Sequence, residues 1–225
     1  MKEIGGKDEA RLYLYDYLTS DSKNKLVKIN KTDMPNMDEL ILRHRARYFL
    51  PLLFCRPKMT VLDFPCGSGY ASEMFRSVDV TYEGMDIDEP TIKYCCHYYG
   101  GYLKKFTVND LQNPHLLSNR YDIIACIEGL EHIKGKYQTT LLYALREALK
   151  SSGTLIISTP ETPHAKSGPS KTNPYHAYEL TRKDFKMLLG SVFDEIQIIM
   201  HKDTLHNGEI VTHMHGICQK GGENG

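Results

Sequence analysis

The stretch Val61-Leu-Asp-Phe-Pro-Cys-Gly-Ser-Gly-Tyr70 constrains the fold of this chain more than any other. Two apolar residues run into an acid, and a turn carrying two glycines one residue apart follows. This is the end of a parallel strand handing a Gly-rich loop to the start of a helix. The glycines let the backbone approach a ligand closely, and the helix N-terminus offers free N–H groups. Asp63 adds a carboxylate beside that loop. Such a site suits a small molecule with a charged amino-acid end and a nucleoside end.

From Met59 onward the pattern strand, loop, helix repeats. Strands are expected at Thr60–Phe64, Thr81–Ile87, Phe106–Asn109, Asp122–Ile127 and Gly153–Ser158. Helices are expected at Tyr70–Ser77, Pro90–Tyr99 and Tyr137–Lys150. The apolar run ending at Ile127 reads as a central strand covered on both faces. The alternation predicts an α/β fold, a parallel sheet wrapped by helices.

Downstream, Glu161–Tyr178 reads as a long loop near the site. Thr181-Arg-Lys-Asp184 is a capping box for a short helix. Phe193–His201 and Glu209–Cys218 read as an antiparallel hairpin joined through Asn207-Gly208, and Gly221–Gly225 as a loose end. Upstream, residues 1–57 read as a helical lead-in, and residues 58–220 as the main domain. The lead-in is expected to hold a helix over Asp8–Tyr17, a polar loop over Lys23–Pro35 and a helix over Asp38–Cys55. Pro51 weakens the last turn of that second helix.

With 28 basic and 28 acidic residues, the formal net charge is zero, which is not a nucleic-acid-binding composition. The start of the chain lacks the apolar core of a secretory signal, and no apolar run is long enough to span a bilayer. None of the six cysteines forms a C-x-x-C pair, so they read as buried, reduced thiols. Together these features predict a cytoplasmic protein.

Two cofactor classes use a Gly-rich turn after the first strand. A dinucleotide-binding dehydrogenase wants G-x-G-x-x-G, and here Ser72 stands where the third glycine would be. Acids at successive strand ends sharpen the choice. Asp86 lies 23 residues beyond Asp63, a suitable place for a carboxylate gripping ribose hydroxyls, and Asp110 follows the third strand.

With these residues the chain resembles the class I S-adenosylmethionine-dependent methyltransferases, from about Arg47 to Lys220. The glycine turn, Met85-Asp-Ile-Asp88, Asn109-Asp110 and Tyr121-Asp-Ile-Ile124 all match in order. The resemblance implies a Rossmann-like three-layer α/β/α sandwich. Its seven-stranded sheet is mostly parallel, with the last strand antiparallel. It places Asp63 near the methionine end, with Cys66, Gly67 and Gly69 in the loop. It also places Asp86 on the ribose, with Ile87, Asp110 and Leu111 around adenine, and brings Arg47 toward the methionine carboxylate. Pro65 departs from the family, which has glycine there, and removes a backbone N–H.

On the reacting side, Glu128, Glu131 and His132 fall at i, i+3 and i+4 after the fourth strand, so one helical turn would gather them. This E-x-x-E-H resembles two methyltransferase groups, one acting on the terminal 2′-hydroxyl of small RNAs and one on phenolic hydroxyls in ubiquinone biosynthesis. In the RNA group a later histidine completes a metal site, and His176-Ala-Tyr-Glu-Leu-Thr-Arg182 looks like that element. The resemblance implies His132 and Glu131 as catalytic residues. It implies Glu128, Glu131, His132 and His176 as ligands of a divalent cation, Mg or Mn. The same Glu-His also occurs in methyltransferases that bind no metal. His213 and His215 alternate on a strand and read as packing; His164, His201 and His206 find no partner in the sequence.

The C-terminal half most resembles bacterial methyltransferases that accompany sugar and polysaccharide biosynthesis. The expected acceptor is therefore a small hydroxylated molecule, a sugar or glycoconjugate, rather than nucleic acid. A metal-dependent RNA 2′-O-methyltransferase is the alternative, and a non-catalytic S-adenosylmethionine-binding subunit the second. Base methylation is disfavoured because Glu128-Gly-Leu-Glu131 stands where an Asp-Pro-Pro-Tyr-like motif belongs.

Overall fold

The computed structural model describes the backbone of residues 12–13, 18–20 and 26–28, and the chain over 37–204, 208 and 210–221. Strands β1 (Leu12–Tyr13), β2 (Leu18–Ser20) and β3 (Leu26–Lys28) form a small antiparallel sheet. The helix expected over 8–17 and the loop over 23–35 are thereby corrected at the described positions. Leu, Tyr, Thr and Val dominate these short runs, and such side chains favour a pleated strand over a helix.

The long helix expected over 38–55 is two helices, α1 (Met37–Ala46) and α2 (Phe49–Phe54). The break falls at Arg47 and Tyr48 for a covalent reason. Pro51 has no N–H for the carbonyl four residues back, which is that of Arg47, and its ring crowds it. Within the first turn of a new helix the same proline is tolerated.

Seven strands then build the main sheet, in the order β6 (Lys104–Val108), β5 (Thr81–Asp86), β4 (Thr60–Asp63), β7 (Tyr121–Cys126), β8 (Leu149–Pro160), β10 (Ile210–Gln219), β9 (Glu195–Thr204). The first five pair in parallel, and β10 runs antiparallel to both neighbours. This is the Rossmann-like arrangement expected, with the antiparallel strand last in the chain. Between the strands lie α3 (Ala71–Arg76), α4 (Glu89–Tyr98), α5 (Gly135–Ala148) and α6 (Arg182–Gly190). Asp88 caps α4, its carboxylate accepting from the Thr91 N–H at 3.0 Å, and Thr181 caps α6, accepting from the Asp184 N–H at 3.2 Å.

Successive residues of a strand face opposite sides. Val61, Ile123 and Ala125 enter one core with Tyr48, Phe75, Tyr82 and Ile92. Leu62, Ile124 and Cys126 enter the other with Leu141, Leu145 and Phe185. The sheet is thus buried on both faces, which is why its central strands are continuously apolar. Strand order reverses between β4 and β7. That reversal opens a crevice at the carboxyl ends of the strands, where sheets of this kind bind ligands.

The six cysteines are free thiols, and among the described residues no helix is long and apolar enough to cross a membrane. His206, Asn207 and Gly222–Gly225 lie outside the described residues.

Candidate active site

A cavity of about 230 Å³ occupies the crevice. Its floor is the loop after β4. Gly67 there has φ +52° and Gly69 φ +76°, both in the left-handed region that glycine enters freely. The Gly67 N–H donates to Asp86 Oδ2 at 3.0 Å, and the Cys66 N–H to the Met85 carbonyl at 2.8 Å, so the loop is tied to the end of β5. A Cβ at Gly67 would meet nothing within 4 Å, which leaves open space above that backbone.

Cys66, Gly67, Asp86, Ile87, Asp110, Leu111 and Arg47 all line the cavity, as expected. Two expected residues do not. Gly69 sits behind the loop, where a Cβ would come within 2.7 Å of Cys95 Sγ. Asp63 lies beneath the floor, fully buried, accepting from Tyr48 Oη at 3.1 Å and Tyr82 Oη at 2.6 Å. Burial pushes its pKa up to about 7, against the two tyrosyl hydrogen bonds that pull it down. Pro65 is also in the wall, and a Cβ at Gly129 would approach Pro65 Cδ to 2.4 Å. The departure at Pro65 is therefore matched by a glycine across the crevice.

Sequence reasoning missed several wall residues. His44 comes from the last turn of α1, Tyr48 from the break between α1 and α2, and Tyr70 from the end of the glycine turn. His44 carries no signal in the sequence beyond its place in a helical segment. Burial, then the neighbouring Arg47 cation, lowers its pKa to about 3, so it presents a neutral imidazole. Asn109 and Gln112 flank the expected Asp110 and Leu111, and Asn109 was legible only as part of that pair.

Beyond β7 the four expected residues separate into two groups. Glu128 lines the cavity, and its carboxylate turns toward Arg47, Ser158 and His213. Ligand atoms of Glu131, His132 and His176 lie within 4.8 Å of one another, and Glu128 is not in that set. The expected four-ligand group is corrected to three, because Glu128 precedes the 3₁₀ turn Leu130–His132 rather than sharing a helical turn with it.

Both histidines of the trio are oriented through one ring nitrogen. His132 Nδ1 lies 3.1 Å from the Tyr175 carbonyl, and His176 Nδ1 lies 2.7 Å from Glu179 Oε1. Glu131 is buried, and Thr159 Oγ1 donates to its Oε2 at 2.9 Å. Burial, reinforced by the Glu128 charge, pushes the Glu131 carboxyl well above its usual range. His132 also lines the cavity, whereas Glu131 and His176 stand behind it. The loop over 161–181 brings His176 in, held by the Tyr178 N–H on the Glu131 carbonyl at 3.1 Å.

This fold and this rim define the class of S-adenosylmethionine-dependent methyltransferase folds. The chain belongs to the methyltransferase-domain family, which matches residues 36–195. A ubiquinone biosynthesis O-methyltransferase of Glaesserella parasuis is 29% identical over 106 residues, 44% of this chain and 44% of that protein. The chain thus spans less than half the length of that curated relative. Among solved structures, an S-adenosylmethionine-dependent methyltransferase of Methanosarcina mazei superposes with TM-score 0.63 at 15% identity, covering 77% of this chain and 98% of the other. The 1,6-didemethyltoxoflavin-N1-methyltransferase of Burkholderia thailandensis, solved with S-adenosylhomocysteine, gives 0.62 at 15% identity, covering 81% and 83%.

Proposed function

We propose that this protein transfers a methyl group from S-adenosylmethionine to a hydroxyl of a small acceptor, a sugar or glycoconjugate. The observation that carries the reading is one cavity with two chemically distinct ends. Asp86, Ile87, Asp110 and Leu111 suit a ribose and an adenine, and Arg47, Glu128, His44 and His132 gather after β7 and α1. The space over Gly67 fits a ligand lying against bare backbone. The bound donor supplies an electrophilic methyl group on a sulfonium. The chain's own residues hold the nucleoside, exclude water with Ile127 and Ile133, and align the acceptor.

Fixed donors and acceptors of both charges match a molecule with several hydroxyl groups. The named O-methyltransferase relative supports oxygen as the accepting atom. A divalent cation, Mg or Mn, fits Glu131, His132 and His176. Each histidine is already oriented through Nδ1, and His132 Nε2 lies 3.8 Å from Glu131 Oε1, so that nitrogen and the buried carboxyl face a common point. When bound, such an ion lowers the pKa of a coordinated hydroxyl. His132 belongs to both the trio and the cavity wall, so it would hold such an ion at the side of the cavity.

The test is incubation with methyl-labelled S-adenosylmethionine and cell extract, fractionated into RNA, glycan and small molecules. Label in the glycan or small-molecule fraction is expected. Label confined to RNA would establish the 2′-O-methyltransferase alternative, and no label in any fraction would favour an accessory subunit. For the ion, elemental analysis should find about one divalent cation per chain, and His176→Ala should release it; full activity in EDTA would remove that part of the reading.

A further inference from the structure

We propose that Glu128 is the carboxylate facing the transferable methyl group and receiving the acceptor's proton, and that His213 on the closing hairpin is the positioning residue that fixes it. The inference rests on the donor reading above. Neither role was expected, since Glu131 had been cast as the catalytic carboxylate and His213 as packing.

Glu128 is unusual in its backbone. Its φ is +50°, a left-handed conformation that a non-glycine residue keeps only where its surroundings over-determine it. Here they do. Its N–H meets the Ser158 carbonyl and Oγ, both at 3.1 Å, and Ser158 Oγ donates back to Oε1 at 2.7 Å. The other carboxylate oxygen, Oε2, lies 2.9 Å from His213 Nδ1 and 3.9 Å from Arg47 Nη2. A strained backbone and a carboxylate held on both oxygens, in the wall of a ligand cavity, mark a group whose position matters.

The hairpin explains how His213 arrives. Because β10 is antiparallel, its first residues reach the rim where the parallel strands end, beside the last residues of β9. His213 pairs across the ladder with His201, and His215 shares their face. Behind His213, Asp203 Oδ2 lies 3.6 Å from Nε2, and Asp203 Oδ1 lies 2.8 Å from His201 Nε2. The row Glu128, His213, Asp203, His201 runs from the buried cavity to a half-exposed imidazole at the surface. The charged and titratable groups around His213 are thus Glu128, Arg47, Asp203, His201 and His215.

Burial alone would raise the Glu128 pKa, but the Arg47 charge and the polar contacts from His213 and Ser158 outweigh it and hold the group ionised. An ionised carboxylate suffices for this chemistry. As the acceptor oxygen bonds to the methyl carbon, the carbon–sulphur pair passes to sulphur. The oxygen becomes an oxonium, a far stronger acid than any carboxylic acid, and its proton passes to Glu128.

The test uses two soluble probes. S-adenosylhomocysteine is neutral at sulphur, and sinefungin carries an ammonium where the methyl sulfonium lies. Calorimetry on the full chain should show sinefungin favoured over S-adenosylhomocysteine. Glu128→Gln should lower that preference by about tenfold or more, the loss expected of one buried charge-assisted hydrogen bond. His213→Ala should lower it less, and His213→Gln should retain most of it. An unchanged preference in Glu128→Gln, with S-adenosylhomocysteine still bound, would overturn the proposal alone. Should that variant fail to fold, an unchanged preference in His213→Ala overturns it instead. If the wild-type chain binds neither probe, the donor reading fails, and this inference fails with it.

Discussion

Asp63 shows how far a single residue can be read from the chain. Its place at the end of β4 was legible, because an acid closing an apolar run before glycines marks a strand end. Its partners were not, because Tyr48 and Tyr82 come from 15 and 19 residues away. Those tyrosines hold it beneath the floor, where burial raises its pKa to about 7 although their hydrogen bonds pull it down. The consequence for stability has a definite sign. The folded state holds this proton more tightly than the unfolded chain, whose value is 3.8. Stability from this group is greatest below that value and falls as pH rises toward about 7, where the loss is complete. At 1.36 kcal/mol per unit the loss is on the order of 4 kcal/mol. Asp63→Asn cannot ionise, so its melting temperature should fall less than that of wild type between pH 5 and 8. Parallel slopes in the two proteins would show that Asp63 is already ionised at pH 5.

At the scale of elements, the pattern of apolar residues located almost every strand and helix of the main sheet, since each helix buries one face in a regular repeat and the central strands, buried on both faces, read as continuous apolar runs. It failed where a covalent or long-range effect overrode the repeat. Pro51 split one apolar helix into two and thereby placed Arg47 and Tyr48 at the cavity. The 3₁₀ turn after β7 divided Glu128 from Glu131 and His132, which no spacing rule distinguishes from a full helical turn. The glycine loop is the element where local and tertiary demands coincide. At Gly69 an alanine would face both a left-handed φ and a Cβ 2.7 Å from Cys95 Sγ, 3.1 Å from Phe106 and 3.2 Å from Tyr99. These aromatics tie the loop to α4 and β6. Gly69→Ala should therefore lower unfolding free energy by roughly 1–3 kcal/mol, and weaken S-adenosylhomocysteine binding as the loop shifts. Gly101→Ala, which meets nothing within 4 Å, is the control in urea denaturation and should change little.

Across the whole molecule, the function proposed above divides the rim of one sheet between two tasks. Ends of β5 and β6 bear Asp86 and Asp110, which suit a nucleoside, while the turn after β7, the loop after β8 and the β9–β10 hairpin bring in the carboxylates and histidines of the proposed reacting side. The first half was legible because each acid follows its own strand in sequence. The second was not, because it is assembled from chain segments more than 80 residues apart, as with Glu128 and His213. Both halves rest on one pair of cores, so a ligand gripping the first half should stabilise the entire domain. S-adenosylhomocysteine at about 100 times its dissociation constant should add ~2.7 kcal/mol, raising the melting temperature of a chain this size by about 5–10 °C. Asp86 accepts the Gly67 and Asp88 N–H groups at 3.0 Å each, so its loss frees the loop as well as removing the carboxylate offered to ribose. Asp86→Ala should lose most of the shift when each protein is compared with its own ligand-free baseline at the same ligand concentration. NADH should produce none in either protein. A shift of equal size with NADH would mean that the crevice reads any adenosine, and that the acids at the strand ends do not select the sulphur compound.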